Sequence, residues 1–135
     1  MTYFDAVPDV TPIQGELQTQ VMAAVWRLGV GTVEQIRSEL PPRYRGAYTT
    51  VQTVLNRLAE RQLLTREREG RGLVYRPTFS EAEYLSGTIR RTLSGASSDA
   101  RQAALANIIG GLDPDELSEL QKLAQTAGAR RKRRS

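Results

Sequence analysis

A chain of 135 residues with 39% hydrophobic side chains suits one small domain, or a small domain with an oligomerising segment. It has no Cys and no His, which removes disulfides, thiolate chemistry, the commonest metal ligand and the usual general base, so no enzyme, metal site or cofactor is expected. No apolar run approaches the ~20 residues of a membrane span and no signal-peptide pattern opens the chain, so a cytoplasmic protein without membrane insertion is expected.

The net charge of +4 is unevenly spread. Residues 43–79 carry eight Arg against three Glu, and the last six residues, RRKRRS, add five cations. Residues 1–42 and 80–129 are each net acidic. The tail alone sets the sign of the total, so the local excess between Arg43 and Arg76 is the informative feature.

Residues 1–14 have no apolar period and read as a flexible arm. A first helix is expected over Gly15–Leu28, with Leu17, Val21, Ala24, Val25 and Leu28 on its apolar face and Met22 and Trp26 widening it. Gly29 and Gly31 end it. Thr32 and Gln35 fit a capping box opening a second helix, Val33–Leu40, which Pro41-Pro42 stops. A basic loop with Arg43 and Arg45 leads to the helix that organises the chain, Tyr48–Gln62, with Thr49 expected as N-cap.

That helix has two contrasting faces. Val51, Val54, Leu55 and Leu58 recur at the spacing of a core-facing stripe. Thr49, Gln52, Thr53 and Asn56 fall opposite: uncharged side chains that donate and accept hydrogen bonds, followed by Arg57 and Arg61. Such a face suits reading base edges and clamping phosphates. Thr49 and Gln52 also fit T-x-x-Q, so capping competes with reading there, and Asn56 is balanced between reading and a plain surface role.

Beyond Gln62, two extended runs flank Glu69-Gly70-Arg71-Gly72 and read as a β-hairpin with Arg71 at its tip and Pro77 at its end. Arg66 and Arg68 alternate with Glu67 and Glu69, so cross-strand pairing is as plausible as phosphate contact. Trp26, Tyr48 and Tyr75 read as packing residues, the tyrosine hydroxyls being within reach of phosphate. Three helices and a hairpin make the winged helix-turn-helix order, hence a mainly α fold with a small β-hairpin wing.

The remainder reads as helical. Ser80 and Glu83 form a second capping box ahead of Leu85, Ile89 and Leu93. Ser97 or Ser98 caps the next helix, with Leu105, Ile108, Ile109 and Leu112 on one side. Asp113-Pro114-Asp115-Glu116 is a helix start rather than a metal cluster, and Leu117, Leu120, Leu123, Ala124 and Ala127 follow. Short amphipathic helices make a weak core alone, so their apolar sides are expected against a second copy. The organisation expected is an arm at 1–14, a DNA-binding winged helix at 15–79, a helical dimerisation region at 80–127 and a disordered basic tail at 128–135.

These segments resemble the penicillinase repressor family of bacterial transcriptional repressors (the BlaI, MecI and CopY type). The resemblance is carried by Gly15-x-Leu17 through Val25-Trp26, by Thr32-Val33, by Ala47-Tyr48-Thr49-Thr50-Val51-x-Thr53-Val54-Leu55-x-Arg57-Leu58, by Tyr75-x-Pro77 and by Ser80–Tyr84. It implies a homodimer with an N-terminal winged helix and a C-terminal dimerisation region, repressing from a dyad operator with TACA/TGTA-type half-sites. It places Thr49, Thr50, Gln52 and Thr53 at base-reading positions, Arg57 where backbone contact is expected and Arg71 at the wing tip. Apart from the resemblance, clustering in the same unit makes Arg43 and Arg45 candidates for the DNA backbone, and Tyr48 joins them through its hydroxyl. In antibiotic-responsive members a membrane sensor-protease system leads to cleavage in the dimerisation region, and Asn107-Ile108 stands at the scissile Asn-Phe position with Ile for Phe. The Cys-rich copper motif of other members is missing. A protein-interaction module on the same fold is the rival reading, and the retained Arg cluster argues against it.

Overall fold

The computed structural model describes residues 12–134, with side chains to residue 128. One compact unit spans Val10–Tyr84 and a second takes the chain from Leu85 on. The first contains α1 (Glu16–Leu28), α2 (Val33–Glu39), a 3-10 turn (Pro42–Tyr44), α3 (Tyr48–Glu60), β1 (Leu64–Glu69) and β2 (Gly72–Pro77). α4 (Glu81–Ser94) leads into the second unit, followed by α5 (Ser98–Gly110) and α6 (Pro114–Arg134).

The core of the first unit is the set of faces that apolar periodicity marks. Val21, Met22, Ala24 and Val25 of α1 meet Val33, Ile36 and Leu40 from α2 and its end, and Val51, Val54, Leu55 and Leu58 of α3. Leu63, Leu64 and Tyr75 close it from the hairpin side. Trp26 lies at the edge, where its indole N–H donates to the Phe79 carbonyl at 3.0 Å and its ring stands 5.5 Å from that of Tyr84. Tyr84 Oη in turn accepts from the Ile13 amide at 2.7 Å. The first turn of α4 therefore packs with the winged helix, past the boundary at residue 79 that the sequence suggests.

Local chemistry accounts for most helix starts. Thr32 and Gln35 form the expected capping box, as do Ser80 and Glu83. Ser97 caps α5 through the Ala100 amide, and Asp113 caps α6 through that of Glu116 at 2.8 Å. α1 and α3 have no side-chain cap, and α3 corrects the expectation for Thr49. Its N-cap is Ala47, without a side-chain cap bond, and Thr49 sits one residue inside the first turn. The entry to α3 is set by tertiary bonds instead. Arg37 Nε donates to the Gly46 carbonyl at 2.6 Å, and Arg45 donates to the Ser38 and Leu40 carbonyls at the end of α2.

α3 also ends earlier than expected, at Glu60, and without a glycine. Gln62 adopts φ 66°, its amide bonds Ala59 O, and the Leu63 amide bonds Leu58 O at 3.0 Å. This is a Schellman stop, with the buried Leu58 and Leu63 supplying its hydrophobic contact. The chain thereby turns from α3 into β1.

The hairpin pairs antiparallel from Leu64↔Pro77 to Glu69↔Gly72, leaving Gly70-Arg71 as a two-residue turn. Gly70 has φ 62° at the first turn position, as a type II′ connection requires. Tyr75 adds a backbone bridge to Gly31, with N–H···O distances of 2.8 and 3.1 Å. A Cβ on Gly31 would stand 3.1 Å from Leu28 Cδ1 and 3.2 Å from Ile36 Cγ1, so a side chain there would push on the core. The bridge fastens β2 to the turn between α1 and α2.

Two expectations at the chain ends need revision. Residues 1–11 of the arm lie outside the described residues, but Pro12 and Ile13 are tied down, Pro12 O accepting from Arg61 at 2.8 Å. The basic tail was expected to be unordered from residue 128, whereas α6 continues as helix to Arg134. No proline follows Gly128, and Arg and Lys favour helix. No described helix is long and apolar enough to cross a membrane.

Candidate nucleic-acid interface

The surface of α3 away from the core presents Tyr48, Thr49, Thr50, Thr53 and Arg57 exposed and Gln52 half-buried. Because Ala47 rather than Thr49 occupies the cap position, Thr49 and Gln52 are not joined in a capping box and their side chains remain open to a ligand. The Thr53 hydroxyl donates back to the Thr49 carbonyl at 2.9 Å, which uses its proton and leaves its lone pairs and methyl outward. Tyr48 is not the packing residue expected: 48% of its surface is accessible.

Tyr48, Gln52 and Arg71 meet across one cleft of about 430 Å³ between α3 and the wing, walled also by Thr32, Leu73 and Tyr75. Sequence distance hides this convergence, since the wing folds back to bring Arg71 opposite the first turns of α3. Among the described residues Arg57, Arg68 and Arg71 make no hydrogen bond or ion pair, so their guanidiniums are free for an anion.

The other arginines of the basic segment are engaged. Arg45 caps the carbonyl end of α2, as described above. Arg61, which the sequence puts near the reading face, turns to Gln18 Oε1 at 3.3 Å and the Pro12 carbonyl. Arg76 pairs with Glu67 across the strands at 3.2 Å. Arg43 lies 3.8 Å from Glu16, with its guanidinium 4.7 Å from the centre of the Tyr44 ring, and stays largely exposed. The hydrogen bond to Glu16, with some burial, raises the Tyr44 phenol above its ordinary range.

Asn56 does not simply face outward. Its Oδ1 accepts from Tyr75 Oη at 2.8 Å and from Arg66 at 3.0 Å, joining α3 to both strands. Burial raises the Tyr75 phenol above its usual range, against a smaller opposing effect of Arg66.

In the second unit, α5 has no buried residue, and Leu85, Ile89, Ile108, Ile109, Leu120 and Leu123 are each about half exposed. Leu93, Leu105, Leu112 and Leu117 are half-buried. Asn107 and Ile108 lie inside α5, both exposed. Among the described residues no group of His, Cys, Asp or Glu is arranged to hold a metal ion.

Three helices, a hairpin wing and an open polar face on the third helix define a winged-helix DNA-binding protein. The model of the penicillinase repressor family matches residues 14–126, and the chain belongs to that family. It is similar to the transcriptional regulator BlaI of Mycobacterium tuberculosis, 36% identical over 110 residues that make up 80% of each chain. The penicillinase repressor of Bacillus licheniformis is 24% identical over 123 residues, 90% of this chain and 96% of that one. Among solved structures, the DNA binding domain of the repressor BlaI is 29% identical over 54% of this chain and 89% of that chain, at a TM-score of 0.47.

Proposed function

We propose that this transcriptional repressor acts as a homodimer on a two-fold symmetric operator and silences a promoter by occupying it. The observation that carries the reading is the outward face of α3: exposed uncharged hydrogen-bonding side chains, with the free guanidiniums of Arg57 and Arg71 beside them. Amides and hydroxyls discriminate base edges in a major groove, whereas guanidinium forks hold phosphates of any sequence. Thr49, Thr50, Gln52 and Thr53 are the readers, Gln52 pairing with adenine and the Thr53 methyl meeting thymine. Arg57, Arg71 and Tyr48 hold the backbone, with Arg43 at the edge. Arg45 supports the frame first, its Nη2 being held by the carbonyls at the end of α2.

The half-exposed Leu85, Ile89, Ile108, Ile109 and Leu120, with Leu93, Leu105, Leu112 and Leu117, bury against a second copy and fix the half-site spacing. The winged helix, with the first turn of α4 packed on it, is then the DNA-binding part, the helices from Leu85 to Ala127 the dimerisation part, and the cytoplasm the place of action. By the family resemblance the half-sites are of TACA/TGTA type and a membrane sensor-protease system relieves repression. Cutting at Asn107-Ile108 would first require α5 to unwind, since those residues are helical.

Footprinting on the promoter of its own gene, with sedimentation of the complex, tests the reading. Symmetric protection of two half-sites, ~10 base pairs or a multiple apart, by two protomers is expected. Equal affinity for random duplex, or a single asymmetric footprint made by one protomer, would overturn it. The protein-interaction rival predicts no duplex preference, and the free arginines beside α3 speak against it.

A further inference from the structure

We propose that Asn56 is a positioning residue, which sets the angle of the wing on α3 and so decides where Arg71 meets the DNA; this rests on the DNA-binding reading above. Arg66 and Tyr75 are direct register partners, so their side chains leave the hairpin on one face. Both end on the same oxygen, Asn56 Oδ1, at 3.0 and 2.8 Å. Among the described residues these two are the hydrogen bonds between α3 and the strands. Clefts of about 430 Å³ and 290 Å³ flank the junction, the first reaching Arg71 and the second Glu60. The outer half of the wing thus stands off α3 and takes its direction from the anchored end.

The geometry makes the junction a lever. Arg71 lies five residues beyond Arg66, or ~16 Å along an extended strand. A ~10° rotation at the anchor would move the tip by ~3 Å, which is enough to break a hydrogen bond to phosphate. The same two donors remove Asn56 from adenine recognition. Bidentate pairing to adenine needs the amide oxygen to accept from the base, and both lone pairs of this oxygen are occupied. Only the amide nitrogen remains, and it can donate but cannot discriminate in that way.

The test uses the full chain, with binding to an operator duplex measured over a salt series and backbone 15N relaxation of the wing measured without DNA. Asn56→Ala removes the acceptor, and Asn56→Asp keeps an oxygen for both donors. Asn56→Ala should weaken binding about tenfold, the equivalent of one ordinary hydrogen bond. It should flatten the salt dependence as Arg71→Ala does, add nothing further to Arg71→Ala, and leave base preference unchanged at every operator position. In the free protein the amides of Glu67–Leu73 should lose order in Asn56→Ala and recover it in Asn56→Asp. Should Asn56→Ala fail to fold, Arg66→Met removes one donor at an exposed position and should loosen the same amides to a smaller degree. A changed preference at one base pair would make Asn56 a reader, and full additivity with Arg71→Ala would mean that it does not act through the wing tip; either result would overturn the proposal. Wing amides that keep their order would overturn it as well. Absence of duplex binding by the unaltered protein would instead remove the DNA-binding reading, while the relaxation result still decides whether Asn56 holds the wing.

Discussion

Replacing Ile108 by Ala should weaken the proposed dimer about 100-fold while leaving the winged helix as stable as before. Ile108 keeps 57% of its surface in the single chain, and α5 buries no residue. The substitution deletes about three methylene equivalents, each worth about 0.8 kcal/mol when fully buried. Scaled by the exposed fraction, that is about 1.4 kcal/mol per copy and about 2.7 kcal/mol for the two copies of a symmetric dimer, or two decades in the dissociation constant. Alanine is the better helix former, so loss of α5 would not explain the result. Sedimentation equilibrium over a dilution series gives the constant, and fluorescence of the single tryptophan, Trp26, follows the winged helix independently. Ile108→Val, which removes one methylene, should shift the constant by less than tenfold. A constant changed by under threefold in Ile108→Ala, or an earlier Trp26 transition at equal dimer content, would refute the assignment of α5 to the interface.

Gln52→Ala should relax preference at one operator position by about tenfold or more, with little change in melting temperature because Gln52 caps nothing; a uniform loss across all duplexes would remove it from the readers. Gln62→Gly should raise stability by about 0.5–1 kcal/mol in urea unfolding, because glycine accepts φ 66° without steric cost, and a loss of stability would count against the Schellman stop. The Tyr75 phenol is raised above 10.0, so its protonated form is favoured in the folded chain. That contribution is complete below the unfolded value of 10.0 and is lost as pH rises through the folded value, so Tyr75→Phe should show a shallower fall of the urea midpoint above pH 10.

Features governed by neighbours in the chain were legible in the sequence; features governed by distant contacts were not. The Thr32, Ser80 and Asp113 caps are interactions over three residues and were readable as such. The core stripe of α3 follows from periodicity alone. The start of α3 is not legible locally because Arg37 and Arg45, not a local cap, determine it, and the T-x-x-Q at Thr49 makes no cap. Its end is hidden because the usual signal is glycine and Gln62 takes the left-handed conformation against its preference. Asn56 stood on the reading face by angle, but its partners lie 10 and 19 residues away. Nothing in the local pattern distinguishes an outward amide from one that a hairpin will cover.

The same distinction governs the charge. A count over residues 43–79 finds eight arginines, and a dimer using all of them on phosphate would show a salt slope of about −14. Five of the eight already have partners in the folded chain: Arg43 with Glu16 and Tyr44, Arg45 with α2 carbonyls, Arg61 with Pro12 and Gln18, Arg66 with Asn56, and Arg76 with Glu67. Arg57, Arg68 and Arg71 are left, and six such groups in a dimer correspond to a slope of about −5. A cation held by carbonyls or a carboxylate meets phosphate only with the donors it has left, so it contributes to the frame before it contributes to the field. The basic segment is therefore mostly scaffold by function: its engaged arginines fix α2, α3 and the wing in place, and its few free ones, with the neutral side chains of α3, are left to meet the DNA.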